Sequence, residues 1–234
     1  MAWATFWMGI TDFSPSSPSS FFPIPLPNVL IANKNLIEVK NKKVRNIHRE
    51  LLSDNWYKLE KISFEYRRED GSWENQSREA YDRGNGAAIL LYNKKNKTVI
   101  LTRQFRMPTF INGNDSGMMI EVCAGLLDGD HPEDCIKKET EEETGYKLDK
   151  VEKVFESYMS PGSVTEILYF FIGSYEEKMK VGEGGGAEEE TENIEVLELG
   201  FEKAMEMVQT GEIKDAKTIM LLQYAKINGL FSNE

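Results

Sequence analysis

Three glutamates near the middle of the chain are spaced so that their carboxylates can act together. Glu139, Glu142 and Glu143 belong to the segment PEDCIKKETEEET, whose spacing predicts a helix over 132–144. At about 100° per residue, Glu142 and Glu143 lie about 60° and about 40° to either side of Glu139. Glu141 points about 160° away from Glu139 by the same geometry. Three carboxylates therefore share one face of the predicted helix.

The shared face implies a metal ion, because like charges at these spacings destabilise an isolated helix by roughly 0.2–0.5 kcal/mol per pair. Mg²⁺ combines a few carboxylates with substrate phosphate, and Mn²⁺ is the expected substitute. The backbone of a loop predicted at Ala124 and Gly125 can add another oxygen, and Lys138 can orient Glu142 from one turn away. The alternative is a solvated acidic helix end. The loop before the helix and the clear helix boundaries favour the metal site.

Both ends of this helix are marked in the sequence. Asp130 can cap the start, with Glu133 three residues later as in a capping box and Pro132 in the first turn. Gly145 can adopt the left-handed conformation that ends a helix. A loop, a helix and a stop are therefore predicted.

The elements that must position this helix are mainly strands. Alternating residues from Trp56 predict a first hairpin over about 51–83, with a turn at Asp70 and Gly71. The runs AAILLYN and TVILTRQF, separated by NKKNK, predict a second hairpin within the core sheet. MIEVCAG, VFESYMS and EILYFFIGSY predict further strands. Two more helices are predicted over 201–210 and 214–226.

Composition limits the class of protein. The 234 residues, 40% of them apolar, are enough to bury one core. Because 39 acidic residues outnumber 28 basic ones, a nucleic-acid polymer is not expected as a partner, whereas a small phosphate ligand remains possible through divalent ions and a few arginines. Cys123 and Cys135 are too few for a disulfide scaffold and suit a reducing cytoplasm. No apolar run reaches the roughly 18–20 residues that cross a bilayer, so no membrane association is expected.

The first residues differ from the rest in composition. The stretch 1–36 is rich in Pro and Ser and has no Lys or Arg before Lys34, which predicts a disordered or non-native tail. A start codon placed too far upstream and a weak targeting or docking segment are the alternatives. We expect an N-terminal β region over 37–83 and the main domain over 84–234.

The segment 124–146 resembles the Nudix box, in which Glu, Arg-Glu and Glu-Glu are spaced along a loop and a helix before a Gly. Glu139, Glu142, Glu143 and Gly145 match it. The departures are Asp130, Lys138 and Thr140 in place of Glu, Arg and an aliphatic residue, and Gly125, which comes one position late.

A wider resemblance accounts for several of these departures. From about 51 to 224, the chain is similar to the GDP-mannose pyrophosphatase branch of the Nudix hydrolases, through LSDNW, YDRGNGA, RQFR, EVCAGLLD, EETGY, YMSPG, IEVLEL and TGEI. Lys138 and the late Gly125 are features of this branch. The resemblance does not cover the first fifty residues.

The resemblance implies an α/β Nudix fold, with a mixed central sheet flanked by helices and a small antiparallel β region before it. It also implies a homodimer, and a magnesium-dependent reaction in which GDP-mannose and water give GMP and mannose 1-phosphate. An ADP-ribose or ADP-sugar pyrophosphatase is the alternative within the class. A Nudix domain that only senses a sugar nucleotide would be of another class, and an acidic calcium-binding interaction protein lacks EF-hand spacing.

By the same resemblance, substrate contacts are expected from Trp56, Arg78, Glu79, Arg106, Ala124, Gly125, Glu166 and Lys217. Metal binding is expected from Ala124, Glu139, Glu142, Glu143 and Glu192. The candidates for catalysis are Glu192, first as metal ligand or general base, then Glu166 and Glu143. Surface charge is the alternative for Arg106, a strand-edge carboxylate for Glu166 and an exposed helix lysine for Lys217. The glycine-rich acidic loop before Ile194 is expected to be mobile without ligand.

Overall fold

The computed structural model describes residues 42–186 and 193–232. Its first part is an antiparallel sheet in the order β1-β2-β3, formed by Val44–Asp54 (β1), Lys58–Arg67 (β2) and Trp73–Asp82 (β3). The predicted hairpin between β2 and β3 is confirmed. Its turn contains Gly71 at a φ of 86°, and the Ser72 amide donates to Asp70 Oδ1 at 2.9 Å.

Strand β1 begins before the predicted hairpin. Its pairing with β2 shifts register between Arg45 and His48 and again between Leu51 and Ser53. Each shift interrupts the period-two alternation by which a strand is recognised in a sequence. Asn46, which has a φ of 55°, lies at the first irregularity.

The second sheet is mixed and carries the core. Its order is β10-β5-β4-β9-β8, with β6 paired to β5 and β7 to β4. β4 and β9 are parallel, and the other pairs are antiparallel. The strands are Gly86–Asn93 (β4), Thr98–Phe105 (β5), Met118–Glu121 (β6), Cys123–Leu126 (β7), Glu152–Tyr158 (β8), Ile167–Ser174 (β9) and Glu195–Gly200 (β10).

Helices cover both faces of this sheet, which confirms the predicted α/β class. They are Met107–Ile111 (α1), Pro132–Thr144 (α2), Phe201–Thr210 (α3) and Ala216–Ile227 (α4). Alternate β4 residues enter opposite cores: Ile89 packs in the core that contains Ile136 of α2, and Leu90 packs in the core that contains Leu221 of α4. A strand buried on both faces needs a continuous apolar run, which is what AAILL provides.

Helix α2 spans the predicted residues, but its N-cap is His131 and not Asp130. The His131 Nδ1 accepts the Glu133 amide at 3.4 Å. Asp130 instead belongs to the preceding turn, where its amide donates to the Leu127 carbonyl at 2.7 Å. Gly145 ends the helix at a φ of 77°, as predicted. The prediction missed α1 and β10, because α1 has five residues and none of them is buried, and β10 is an edge strand.

The predicted tail over 1–36 lies outside the described residues, and the boundaries at 37 and 84 stay predictions. Within the part of the chain that the structure describes, no helix is long and apolar enough to cross a membrane.

Candidate active site

Helix α2 approaches strand β7 closely because position 125 has no side chain. Gly125 pairs with Ala87 across the β4–β7 ladder, so the strand predicted from MIEVCAG is confirmed at its C-terminal end and the loop predicted at Ala124 and Gly125 is wrong. A Cβ atom at position 125 would lie well under 3.0 Å from the Cγ, Cδ and Oε1 atoms of Glu139. The Glu139 side chain therefore rests directly on the β7 backbone.

Glu143 faces the same strand, one helical turn further on. Its side chain is buried beside Cys123, the first residue of β7. Burial raises the pKa of Cys123 well above its usual value, and the charge and hydrogen bonding of Glu143, together with the charge of Glu139, raise it further. Burial, followed by the charge of Glu139, raises the pKa of Cys135 to about 12. Both thiols therefore stay protonated beside the glutamates at neutral pH.

Glu142 and Glu141 lie at the accessible side of α2. Lys138 Nζ is 3.7 Å from Glu142 Oε2, a contact that agrees with the predicted orienting role. Glu141 pairs instead with Lys147, whose Nζ is 2.8 Å from its Oε2. The two neighbouring acids thus have different basic partners.

The glycine-rich segment after residue 181 packs on the C-terminal end of α2. The amide of Gly185 donates to the Glu143 carbonyl at 2.9 Å, and that of Gly186 donates to the Glu142 carbonyl at 3.2 Å. A Cβ atom at Gly184 would overlap the Glu143 carbonyl, so this approach requires glycine. The segment therefore satisfies helix-end carbonyls that have no partner within the helix. The mobility expected of this loop without ligand stays a prediction, and Glu192 lies outside the described residues.

Glu166 reaches the same region from the loop between β8 and β9. The Cβ position of residue 86 lies 3.0 Å from the Gly125 carbonyl oxygen and 3.6 Å from Glu166 Oε1. The Glu166 side chain is only 12% exposed. The structure therefore brings Glu139, Gly125 and Glu166 together around the β4–β7 pair, with Glu143 buried at the start of β7.

The end of β3 and the segment that follows it hold the Glu166 loop. Tyr81 exchanges backbone hydrogen bonds with that loop, donating to the Ser163 carbonyl at 2.7 Å and accepting from the Thr165 amide at 3.1 Å. Thr165 Oγ1 donates to Asp82 Oδ1 at 3.0 Å, and the Ile167 amide donates to the Asn85 side chain at 3.0 Å. The YDRGN sequence is thus a clamp for the residues on both sides of Glu166.

Arg83, within this clamp, was not among the predicted site residues. Its Nε lies 3.5 Å from Glu166 Oε1, and its guanidinium lies 5.6 Å from the ring centroid of Tyr57. The available signal was its position in YDRGNG, between a strand and two turn-forming residues.

Arg106 and Lys217 converge on Glu121, a residue that the sequence analysis did not select. Arg106 donates through Nε and Nη2 to the two carboxylate oxygens, each at 3.0 Å, and Lys217 Nζ donates to Oε2 at 2.6 Å. Burial would raise the pKa of Glu121, but the charges and hydrogen bonds of Lys217 and Arg106 lower it to about 2. Lys217 also binds Asp215 at 2.9 Å, and its side chain is only 15% exposed, so the exposed-lysine alternative is wrong.

The remaining candidates lie on the N-terminal sheet. Trp56 is 84% exposed in the turn between β1 and β2, in edge contact with Tyr57. Arg78 and Glu79 lie on β3 and line a pocket of about 590 Å³ together with the loop 161–165 that leads to Glu166. The last lining residue of this pocket, Thr165, directly precedes Glu166 in the chain. Trp56, by contrast, projects from the turn into solvent.

The oxygen-rich site fits a hard divalent cation. Gly125 provides a cradle for Glu139, and the thiols beside it are protonated. Within residues 42–186 and 193–232, however, no group of three or more His, Cys, Asp or Glu side chains is already arranged to hold a metal ion. Glu139, Glu142 and Glu143 therefore stay predicted ligands.

Comparisons with known proteins agree with this architecture. The family model described as the NUDIX domain matches residues 82–222, and the one described as the GDP-mannose pyrophosphatase NudK N-terminal domain matches residues 43–81. This chain belongs to the Nudix family and is a Nudix hydrolase. Members of that family generally use divalent metal ions.

Curated relatives match across nearly their whole length. A protein named GDP-mannose pyrophosphatase from Yersinia enterocolitica serotype O:8 / biotype 1B is 57% identical over 188 residues, covering 80% of this chain and 97% of the relative. Proteins with the same name from Yersinia pestis (strain Pestoides F) and Pectobacterium atrosepticum are 58% and 56% identical, covering 80% of this chain and 93% and 95% of the relatives.

Proposed function

We propose that this chain hydrolyses the diphosphate bond of GDP-mannose, giving GMP and mannose 1-phosphate. The observation that carries the proposal is the close packing of α2 on β7, which places Glu139 against Gly125 in a Nudix domain. The substrate follows from the relatives named GDP-mannose pyrophosphatase, which share 56–58% identity with this chain. The match of residues 43–81 to the N-terminal domain model of GDP-mannose pyrophosphatase also supports it.

We propose Mg²⁺ as the cofactor, with Mn²⁺ as a substitute. Its ligands would be the Ala124 carbonyl and the carboxylates of Glu139, Glu142, Glu143 and Glu192. When bound, the ion would neutralise phosphate charge and polarise the phosphorus–oxygen bonds. The donor set supports this assignment, because carboxylate and carbonyl oxygens are the ligands that Mg²⁺ prefers.

In the proposed reaction, a water oxygen bonds to one phosphorus as the bridging oxygen leaves with the other phosphate. A base must take the proton from that water, and Glu192 and Glu166 are its candidates. Glu166 suits this task because its largely buried carboxylate lies beside the Gly125 carbonyl, within the group that includes Glu139. General base catalysis of this kind contributes about 10²–10⁴ in rate.

Substrate binding is proposed for two groups of residues. Arg106 and Lys217 would face the anionic diphosphate, and their short bonds to Glu121 fix both side chains in advance of binding. Arg78 and Glu79 would contact the rest of the nucleotide sugar in the pocket lined by 161–165. Trp56 offers an aromatic surface for stacking.

We also propose a homodimer. The three-stranded sheet leaves Leu51 57% and Ile47 43% exposed, and a second copy of the chain would cover such side chains. Light scattering should give twice the chain mass, and Leu51→Arg should weaken the dimer.

A cytoplasmic location is proposed because Cys123 and Cys135 are both free and buried.

One experiment tests the reaction and its alternatives. The protein is incubated with Mg²⁺ and, separately, GDP-mannose, ADP-ribose, ADP-glucose and GTP in water labelled with heavy oxygen, and the products are separated by chromatography. We expect GMP and mannose 1-phosphate, with the highest kcat/KM for GDP-mannose. A higher kcat/KM for an adenine substrate would replace the proposed substrate, and tight binding without turnover would support the sensing function instead.

A further inference from the structure

Arg83 occupies a junction between the two parts of the described structure. It follows β3 of the N-terminal sheet by one residue and precedes β4 of the central sheet. On one side its guanidinium lies over the ring of Tyr57, which is next to Trp56 in the β1–β2 turn. On the other side it pairs with Glu166. A single side chain therefore touches both the aromatic turn and a candidate catalytic carboxylate.

The Glu166 backbone is held by the YDRGN clamp, but the clamp does not fix its side chain. The hydrogen bonds of Tyr81, Asp82 and Asn85 go to Ser163, Thr165 and Ile167, which lie on either side of Glu166. Glu166 itself is 12% exposed, and a largely buried carboxylate needs a specific partner. Within the part of the chain that the structure describes, the cation paired with it is Arg83.

The Tyr57 ring restricts Arg83 in turn. A guanidinium is planar and stacks on aromatic faces, which a lysine ammonium cannot do in the same way. Tyr57 also makes an edge contact with Tyr81, the first residue of the clamp, at a centroid distance of 5.8 Å. The ring, the clamp and the arginine thus support one another, and they leave the Glu166 carboxylate on the side of Gly86 and Gly125.

We propose that Arg83 is a positioning residue for the hydrolysis: lying within cation–π distance of Tyr57, it pairs with Glu166 and holds that carboxylate at the Gly125 side of the site. This inference rests on the proposed function, in which Glu166 contacts the substrate or the attacking water. Arg83 acts through Glu166, so its removal lowers turnover only as far as Glu166 contributes to turnover.

The test is a double-mutant cycle on the full chain, with GDP-mannose and saturating Mg²⁺. Arg83→Gln, Glu166→Gln and the double variant are compared with wild type. Arg68→Gln is the matched control, because Arg68 is also a half-exposed arginine paired with a glutamate, Glu74, at 3.6 Å, but on the N-terminal sheet. Melting temperatures of all variants are measured, and Arg83→Lys tests whether charge alone is sufficient.

We expect Glu166→Gln to lower kcat on the order of 10²-fold and Arg83→Gln on the order of 10-fold, with KM changed less than about 3-fold. The double variant should be no slower than Glu166→Gln alone, because nothing is left for Arg83 to position. Arg83→Lys should recover part of the loss, since it keeps the charge but has no planar guanidinium to face the Tyr57 ring. Arg68→Gln should retain wild-type kcat and a melting temperature within a few degrees of that of Arg83→Gln.

Three results would overturn the inference: an Arg83→Gln variant with wild-type kcat, a double variant whose loss is the product of the two single losses, or a Glu166→Gln variant with full activity. A wild-type protein that does not turn over GDP-mannose would contradict the proposed function itself, and this result is read before any variant is compared.

Discussion

Gly125→Ala is the sharpest perturbation of the site, because the added methyl group would be directed at one side chain. Ordinary van der Waals contact of a Cβ begins at 3.4 Å. The three nearest Glu139 atoms would each be about 1 Å inside that limit, so the helix or the carboxylate must move. The atoms concerned belong to the outer part of a flexible side chain, so the side chain is the part that gives way.

The magnitude follows from what Glu139 does in the proposed reaction. A displacement of about 1 Å at a reacting centre costs on the order of 10² in rate, and loss of one electrostatic stabiliser costs about 10²–10³. We therefore expect kcat/KM to fall by about 10²–10³. Overpacking lowers the free energy of unfolding by about 1–3 kcal/mol in a core. Because the Glu139 side chain can move, we expect Gly125→Ala to cost about 1 kcal/mol.

The assay compares Gly125→Ala with Gly200→Ala, a glycine at which an added Cβ would have no neighbour within 4 Å and where φ is −58°. Turnover of GDP-mannose is titrated with Mg²⁺, and folding is followed by thermal melting. The site variant should need more Mg²⁺ for half-maximal activity, and the control should behave like wild type. A fully active Gly125→Ala protein would refute the proposed role of Glu139, and an unfolded one would refute the claim that the side chain gives way.

Three further predictions concern charge. Gln in place of Glu139, Glu142 or Glu143 should lower kcat/KM by about 10²–10⁴, whereas Glu141→Gln should change it less than about 2-fold, and equal losses in all four would contradict the site. Excess chelator should abolish turnover, and undiminished hydrolysis would remove the metal assignment. Because burial raises the pKa of Glu121 but Lys217 and Arg106 lower it from 4.5 to about 2, its stabilisation is complete above about 4.5 and is lost as pH falls towards 2. Melting temperatures should show this acid-side decline, with a shallower slope in Glu121→Gln.

Local periodicity was enough to predict the helix that carries the glutamates. Glu139 and Glu143 are one turn apart, so their common face depends on helix geometry alone. The two ends of the helix, at Pro132 and Gly145, were also predictable from local sequence alone. The N-cap was assigned one residue too early, because both Asp and His side chains can accept an amide hydrogen bond at a helix start. In the structure, Asp130 belongs to the preceding turn, which is closed by its hydrogen bond to the Leu127 carbonyl.

The places where a glycine allows another element to approach the backbone closely were harder to predict from the sequence. Gly125 was expected both at the end of a strand and in a loop, and the structure shows a strand residue whose missing Cβ makes room for Glu139. The glycines after residue 181 were interpreted as a sign of mobility, which stays a prediction, but the sequence did not reveal that Gly184 and Gly185 pack on the Glu143 carbonyl. Glycine in a sequence indicates conformational freedom and absence of a side chain equally well. Only the position of the neighbouring element decides which of these properties the fold uses.

Ion pairs between residues that are far apart in the sequence were the least predictable feature. Lys217 and Glu121 are 96 residues apart in the chain and become neighbours because α4 begins beside the junction of β6 and β7, where the Val122 amide donates to Thr218 Oγ1. Lys217 was proposed for substrate binding, yet it already has a buried anionic partner. In the proposed binding mode, a substrate phosphate beside Arg106 and Lys217 would meet a net charge that Glu121 and Asp215 set as much as the two basic residues do. Under that proposal, specificity for an anionic diphosphate would depend on Glu121 and Asp215 too, which composition and motif spacing alone do not reveal.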